Sequence, residues 1–518
     1  MATLVSRVAF APPRAMGSTV KAHGWNIAAL LLFAGWALFI GAHHEPWADE
    51  AQAWLLARDN NLFELLFHRV RYEGSPGLWH AVLWIAIRAG FPYSQLYLIP
   101  TIFAVAGARI VLWRAPFPLW MRLGIIFSYF FAYQYAVLAR SYSVDLFVVP
   151  LLAAWFPRRG QQSARYALAL GLVANLNAHG FVAAAFLGLE LFVHLLRKGE
   201  LRHVQAWFSL AIAGSLGLLA LISAWQPSDN YFIRDHHDYS FLAAFLSVLR
   251  NAFVDRMLVF SERSPSPIDI VAGMALTIIA LAPSIKLIAF GRARLAGVGA
   301  LVAILLFSTT IYAAPWHGGL LFLFWIFALW ISWPSEPSAV PREVLIGFAL
   351  IGTAQMIETA RSGIWDVGHT FSPAGSAALF VDEFRSRHSS TRVAAFGFKT
   401  FALQPYWPRN GFANYKNGAA EAAWIDWRRG QLWDPYGGDA DWKRVLGGKP
   451  DLIVASLPAF EENSLWSLRL ACKLGYAETR RFGGALLWRG AFYEDDTLVM
   501  LERSASAGGC DEREFIGR

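Results

Sequence analysis

Long apolar runs separated by short polar gaps occupy the chain from about residue 24 to residue 360. An α-helix needs roughly 20 mostly apolar residues to cross the hydrocarbon core of a bilayer. On that rule the pattern predicts spans near 24–42, 96–113, 119–137, 143–156, 166–178, 180–196, 204–224, 268–286, 295–313, 318–333 and 342–360. One further run, at 78–89, is apolar but only about a dozen residues long, the length of an interfacial or re-entrant helix. After 360 the periodicity changes. Short β-like runs fall near 392–398, 451–455, 484–488 and 497–501, with helical patterns near 375–387 and 464–474 between them. That alternation predicts a small α/β domain.

Lysine and arginine positions orient this layout. With 78–89 lying in the interface, alternate gaps hold Arg109, Arg114 and Arg122; Arg158, Arg159 and Arg165; Arg197, Lys198 and Arg202; Lys286, Arg292 and Arg294; and Arg342. The opposite gaps hold Arg140 and little else that is basic. Because positive charge is retained on the cytoplasmic side, the pattern predicts about eleven spans with the N-terminus inside and the C-terminus outside. The expected organisation is a cytoplasmic tail (1–23), a transmembrane domain (24–360) with outer loops at 43–95 and 225–267, and an extracytoplasmic α/β domain (361–518). No small-residue cleavage site precedes the acidic loop, so the first run reads as a retained span rather than a signal peptide.

Composition agrees. The 518 residues are 56% hydrophobic and 16% charged, with a mean hydropathy of +0.39, which excludes an ordinary soluble protein. The net charge of +8 lies in the gaps between spans and is no nucleic-acid signal. Two cysteines, Cys472 and Cys510, both sit in the last region. They pair if that region is oxidised, or stay as buried thiols.

The candidate chemistry begins at HHEPWADEAQAW, just past the first span, where Asp49 and Glu50 are adjacent. A carboxylate pair at a bilayer boundary is costly to keep. Asp49 also reads as the N-cap of an interfacial helix, with Gln52 three residues on as its capping-box partner. Glu73, in RYEGSPGLWH, is either a loop acid paired with Arg71 or a third acid of an oxygen-ligand metal site. Arg140, in LARSYSVD with Tyr142 and Asp145, is either a snorkelling residue or a bidentate phosphate ligand. His179 and His317 occupy tight outer turns, as surface residues or as site ligands. His43, His44, His236 and His237 carry less. No HExxH, CxxC pair, P-loop, GxGxxG or GxSxG element occurs, so zincin, nucleotidase and hydrolase readings lack a motif.

Three elements in order, PWADEAQAW, YEGSPGLW and LARSYSVD, resemble the GT-C glycosyltransferases. These are integral-membrane enzymes that use polyprenyl-phosphate sugars, among them the protein O-mannosyltransferases and the lipid A aminoarabinose transferase. By motif the resemblance covers residues 24–200, and beyond them it is one of layout. It implies a GT-C-like fold and transfer of a hexose or pentose from a polyprenyl-phosphate donor to a glycan, lipid or protein acceptor. The reaction would lie outside the plasma (inner) membrane of the cell envelope, with no nucleotide. It further implies Asp49 as general base, Glu50 as its catalytic partner, and Glu73, Arg140, Tyr142, His179 and His317 as substrate-binding residues, with Arg140 facing the departing phosphate. A divalent cation held by Asp49 and Glu73 is compatible with it. Two other classes compete: a transporter or flippase, for which Glu190 and Glu358 are the mid-membrane acids, and a non-catalytic assembly protein built around the C-terminal domain.

Overall fold

The computed structural model describes residues 19–231, 241–254, 267–291, 293–312, 314–388, 390–415, 423–428, 439–456, 464–488 and 492–503. Eighteen α-helices are described. They are α1 (Thr19–His43), α2 (Ala48–Asp59), α3 (Leu62–Glu64), α4 (Leu78–Arg88), α5 (Leu98–Arg114), α6 (Leu119–Ile126), α7 (Tyr142–Trp155), α8 (Ser163–Ala174) and α9 (Ala178–Arg197). Next come α10 (Val204–Ala224), α11 (Phe241–Phe253), α12 (Pro267–Phe290), α13 (Arg294–Thr310), α14 (Gly318–Ser332) and α15 (Arg342–Gly368). The last three, α16 (Ala374–Arg387), α17 (Asp439–Gly447) and α18 (Ser464–Lys473), accompany the strands.

Six helices are long and apolar enough to cross a membrane: His23–His43, Tyr93–Arg114, Ala178–Arg197, Val204–Ala224, Val271–Phe290 and Arg342–Gly368. The molecule is a multi-pass membrane protein. Its outward faces agree, since Leu31, Leu32, Trp207, Phe208, Val271, Ile279 and Ile346 are exposed along those helices, as side chains against lipid would be. The other expected spans are shorter helices, and the run at 119–137 is no single helix. There α6 stops at Ile126 and the chain turns through a π-helical stretch, Phe130–Gln134. The physical reason is polar demand within an aromatic run. Tyr129, Tyr133 and Tyr135 are fully buried, and their hydroxyls must reach Gln134 (2.6 Å), Asp366 (3.1 Å) and the Trp316 carbonyl (2.6 Å). A widened turn aims them separately, as π-bulges at functional sites often do. The 78–89 run forms the short helix α4, which packs on α2.

Close backbone crossings hold the bundle. A Cβ on Gly107 of α5 would strike the Leu146 carbonyl oxygen of α7, and one on Gly347 of α15 would strike that of Ala280 in α12. Small residues at such crossings are how membrane helices approach each other.

After α15 the chain builds a four-stranded mixed sheet from β1 (Val393–Phe396), β2 (Leu452–Ser456), β3 (Tyr476–Phe482) and β6 (Leu498–Arg503), in the order β1-β2-β6-β3. β1 pairs parallel to β2, and β6 runs antiparallel to both neighbours. A separate hairpin joins β4 (Ala485–Trp488) to β5 (Phe492–Asp495). Four of these strands and the helices α16 and α18 lie where the sequence predicts them. β3 and β5 were not expected. β3 is an edge strand with an alternating, largely exposed face, which lacks an apolar run for the eye to find. One continuous apolar core runs from the bundle through Phe371, Ala374, Leu403 and Trp407 to Leu452, Leu486 and Met500. The C-terminal region is therefore packed onto the helices. The Cys472–Cys510 pairing, His236, His237 and much of the 225–267 loop fall outside the described residues.

Candidate active site

The helix α2 begins where Trp47 leaves extended backbone (φ −99°, ψ −173°). Its cap differs from the expected one. Asp49 is not the N-cap; Glu50 reaches back so that its Oε2 accepts from the Trp47 N–H at 3.1 Å. Gln52 is used elsewhere. Both acids sit in the first turn, where the helix dipole favours negative charge.

Neighbouring positions then part company. Glu50, 1% exposed, is fully engaged: Oε1 accepts from the Ala139 N–H at 2.6 Å, and Oε2 also faces His44 Nε2 at 3.2 Å. The other ring nitrogen of His44, Nδ1, lies 2.9 Å from Asp366 Oδ2 at the end of α15. Both nitrogens face carboxylates, so both carry protons. Burial opposes that charge, but Asp366 and Glu50 outweigh it and lift His44 to about 10. Asp49, by contrast, is ion-paired with the Arg140 guanidinium. Their side chains are 29% and 26% exposed, so the pair borders open space while Glu50 is sealed.

Arg140 stands between the π-helical stretch and α7. Tyr142, two residues on, lies with its hydroxyl 2.7 Å from His317 Nε2. The Ala314 N–H donates to His317 Nδ1 at 2.8 Å, which makes Nε2–H the donor toward Tyr142. Burial, with His179 and Arg140 nearby, keeps His317 well below its ordinary value and so neutral. The His179 ring lies 4.5 Å from that of His317, at the start of α9, which Asn177 caps by accepting from the Gly180 N–H at 2.7 Å. The expected residues Arg140, Tyr142, His179 and His317 thus form one cluster against Asp49. Asp145 is apart from it, buried and bonded to Asn177 at 2.6 Å.

Glu73 reaches the same place from the turn before α4. Gly74 takes the left-handed conformation (φ +64°) hard against Gln226, a position L side chains rarely adopt. Glu73 Oε1 accepts from Gln52 Nε2 at 2.8 Å and from the Trp427 indole N–H at 3.0 Å. Desolvation pushes its carboxyl up to about 7; the two donors and Arg140 oppose that rise, and Asp49 adds to it. The expected pairing with Arg71 is not made, since Arg71 donates to the Trp225 carbonyl. His80 of α4 is also near Arg140, and burial followed by that charge lowers it to about 4.

The metal expectation finds no donor set. Among the described residues no three of His, Cys, Asp and Glu come together as a metal-binding group. Asp49 is held by Arg140, and Glu73 Oε1 accepts from two N–H donors. Sequence reasoning named His44 only as a weak candidate and Gln52 only as a capping partner, and it passed over Asp366, His80 and Trp427. Only His44 and Gln52 had a signal, their closeness in sequence to the acidic pair.

The chain is a bundle of membrane helices whose first loop after α1 carries an acidic pair, followed by a mixed C-terminal sheet. Two solved structures share this fold: crystal structures of ArnT from Cupriavidus metallidurans, one bound to undecaprenyl phosphate (TM-score 0.53) and one in the apo state (TM-score 0.52). Each is 14% identical in sequence, and the match covers 95% of this chain and 100% of ArnT. No family model and no curated protein matches the sequence.

Proposed function

We propose that this protein transfers a sugar from a polyprenyl-phosphate donor to an acceptor on the extracytoplasmic side of the plasma membrane. The observation that carries this reading is the Asp49–Arg140 pair, bordering open space in a fold shared with a protein crystallised with undecaprenyl phosphate. In the reaction an acceptor hydroxyl or amine attacks the anomeric carbon. The bond from that carbon to the phosphate oxygen breaks, its electron pair stays on the phosphate, and the acceptor's proton passes to Asp49 as general base. Arg140 neutralises the charge that develops on the phosphate. The ion pair links these roles: a donor phosphate on Arg140 competes for the guanidinium and releases Asp49 as a base. Glu50 orients Asp49 and the Arg140 loop and has no oxygen left for substrate. His317 and His179 hold Tyr142 beside the phosphate site. The topology that fits has the N-terminus inside and the loops with the C-terminal region outside.

Asp49→Asn keeps the shape and removes the base. Release of polyprenyl phosphate from a sugar-loaded donor should fall by about 100-fold or more, with protein abundance in the membrane unchanged. Full activity in that variant would end the proposal. A transport reading needs exposed mid-membrane acids, whereas Glu190 is clamped by Arg159 at 2.9 and 3.1 Å.

A further inference from the structure

The segment Ala423–Arg428 leaves the C-terminal region and is stitched into the loop that carries the carboxylates. The Ala423 N–H donates to Asp59 Oδ2 at 3.0 Å. The Trp424 ring lies under the Arg69 guanidinium, 4.6 Å away. Gln52 grips the backbone of Ile425 at both ends, accepting its N–H at 2.8 Å and donating to its carbonyl at 3.0 Å. The same Gln52 Nε2 donates to Glu73, which is completed by the Trp427 indole. Trp427 is itself fixed, since its carbonyl accepts from the Tyr231 N–H at 2.8 Å. Its ring lies 6.0 Å from that of Phe398. Among the described residues only Oε1 of Glu73 accepts a hydrogen bond, from donors that cannot take a proton.

We propose that Trp427 is a positioning residue for transfer: its indole N–H and Gln52 hold Oε1 of Glu73 so that Oε2 is presented to the substrate beside Asp49 and Arg140. The active site is then incomplete without the C-terminal region, and Glu73, fixed by Trp427, contacts a hydroxyl of the bound sugar or acceptor. A carboxyl oxygen beside the Asp49–Arg140 ion pair suits a hydroxyl donor, because a second anion there would be repelled by the two carboxylates. The inference rests on the proposed transferase reading.

The test uses the full-length protein in detergent, with Trp427→Phe, Glu73→Ala and the double variant. The substrates are a panel of undecaprenyl-phosphate hexoses and pentoses, scored by release of undecaprenyl phosphate. Trp427→Phe keeps the ring and removes the donor. It should lower kcat about 10-fold, the loss of one hydrogen bond to a charged group, with donor KM unchanged. On the Glu73→Ala background the same change should cost nothing more. A second readout needs no substrate. The carboxyl stretch lost in Glu73→Gln by infrared difference spectroscopy should shift in Trp427→Phe. Losses that multiply in the double variant, or an unmoved carboxyl band, would overturn the inference. A wild-type protein that releases no undecaprenyl phosphate from any donor, with the band shifted as expected, would overturn the transferase reading instead.

Discussion

Consecutive residues of an α-helix point about 100° apart, so Asp49 and Glu50 leave α2 in different directions, one toward Arg140 and the other toward Ala139 and His44. The sequence offered both as chemistry, and geometry divides them. His44 explains how Glu50 can be buried as an anion: an imidazolium placed between two carboxylates compensates both, where an unpaired buried charge would be costly. Its value of about 10 lies above the ordinary 6.5, so protonation stabilises the fold. That contribution is fully present below about pH 6.5 and is lost as pH rises through about 10. Thermal melting of purified protein should therefore decline across that window, and in His44→Gln this component should be gone. A variant that keeps the wild-type slope would show that the charge lies elsewhere. Arg140→Ala should weaken binding of undecaprenyl phosphate by about 10-fold. Arg140→Lys should recover only part, because lysine offers a point charge in place of a planar fork; equal affinity in Arg140→Ala would remove the arginine from the phosphate site.

At the scale of elements, the site depends on how α7 is seated, since Arg140 and Tyr142 lie at its start. Gly107 sets the crossing of α5 and α7, and the atom that an added Cβ would strike belongs to the backbone. No side-chain rotation relieves that contact. Gly107→Val should therefore cost about 1–3 kcal/mol. It should appear as a reduced monodisperse fraction on size-exclusion chromatography, and a normal profile would show that the helices part at little cost. The broken segment after α6 makes the same point from the opposite side. Hydropathy marked 119–137 as a span because aromatic residues count as apolar, yet their buried hydroxyls needed partners that a straight helix could not supply. Hydropathy has no term for that demand. The strands that were found had apolar runs, and β3, exposed along one face, had none.

For the whole molecule the decisive relation is between the bundle and the C-terminal region, which share one apolar core and meet at Glu73. If the carboxylate loop faces outward as proposed, a cysteine placed at Asn61, an exposed loop position, should react with a membrane-impermeant maleimide in intact cells, above the labelling of the unmodified protein. Reaction only after lysis would reverse the orientation. By itself the sequence determined the multi-pass helical class, the stretch holding the acids and the composition change after 360, because membrane insertion is governed by local apolar length and local charge. It also marked Asp49 and Arg140, since charge at a span end is conspicuous. Only the tertiary structure decided that these two are partners, that His44 is held between Glu50 and Asp366, and that Trp427 completes Glu73. Those contacts join residues 91, 322 and 354 positions apart. Pairing over such distances is fixed by how the helices pack, which no local window of sequence encodes.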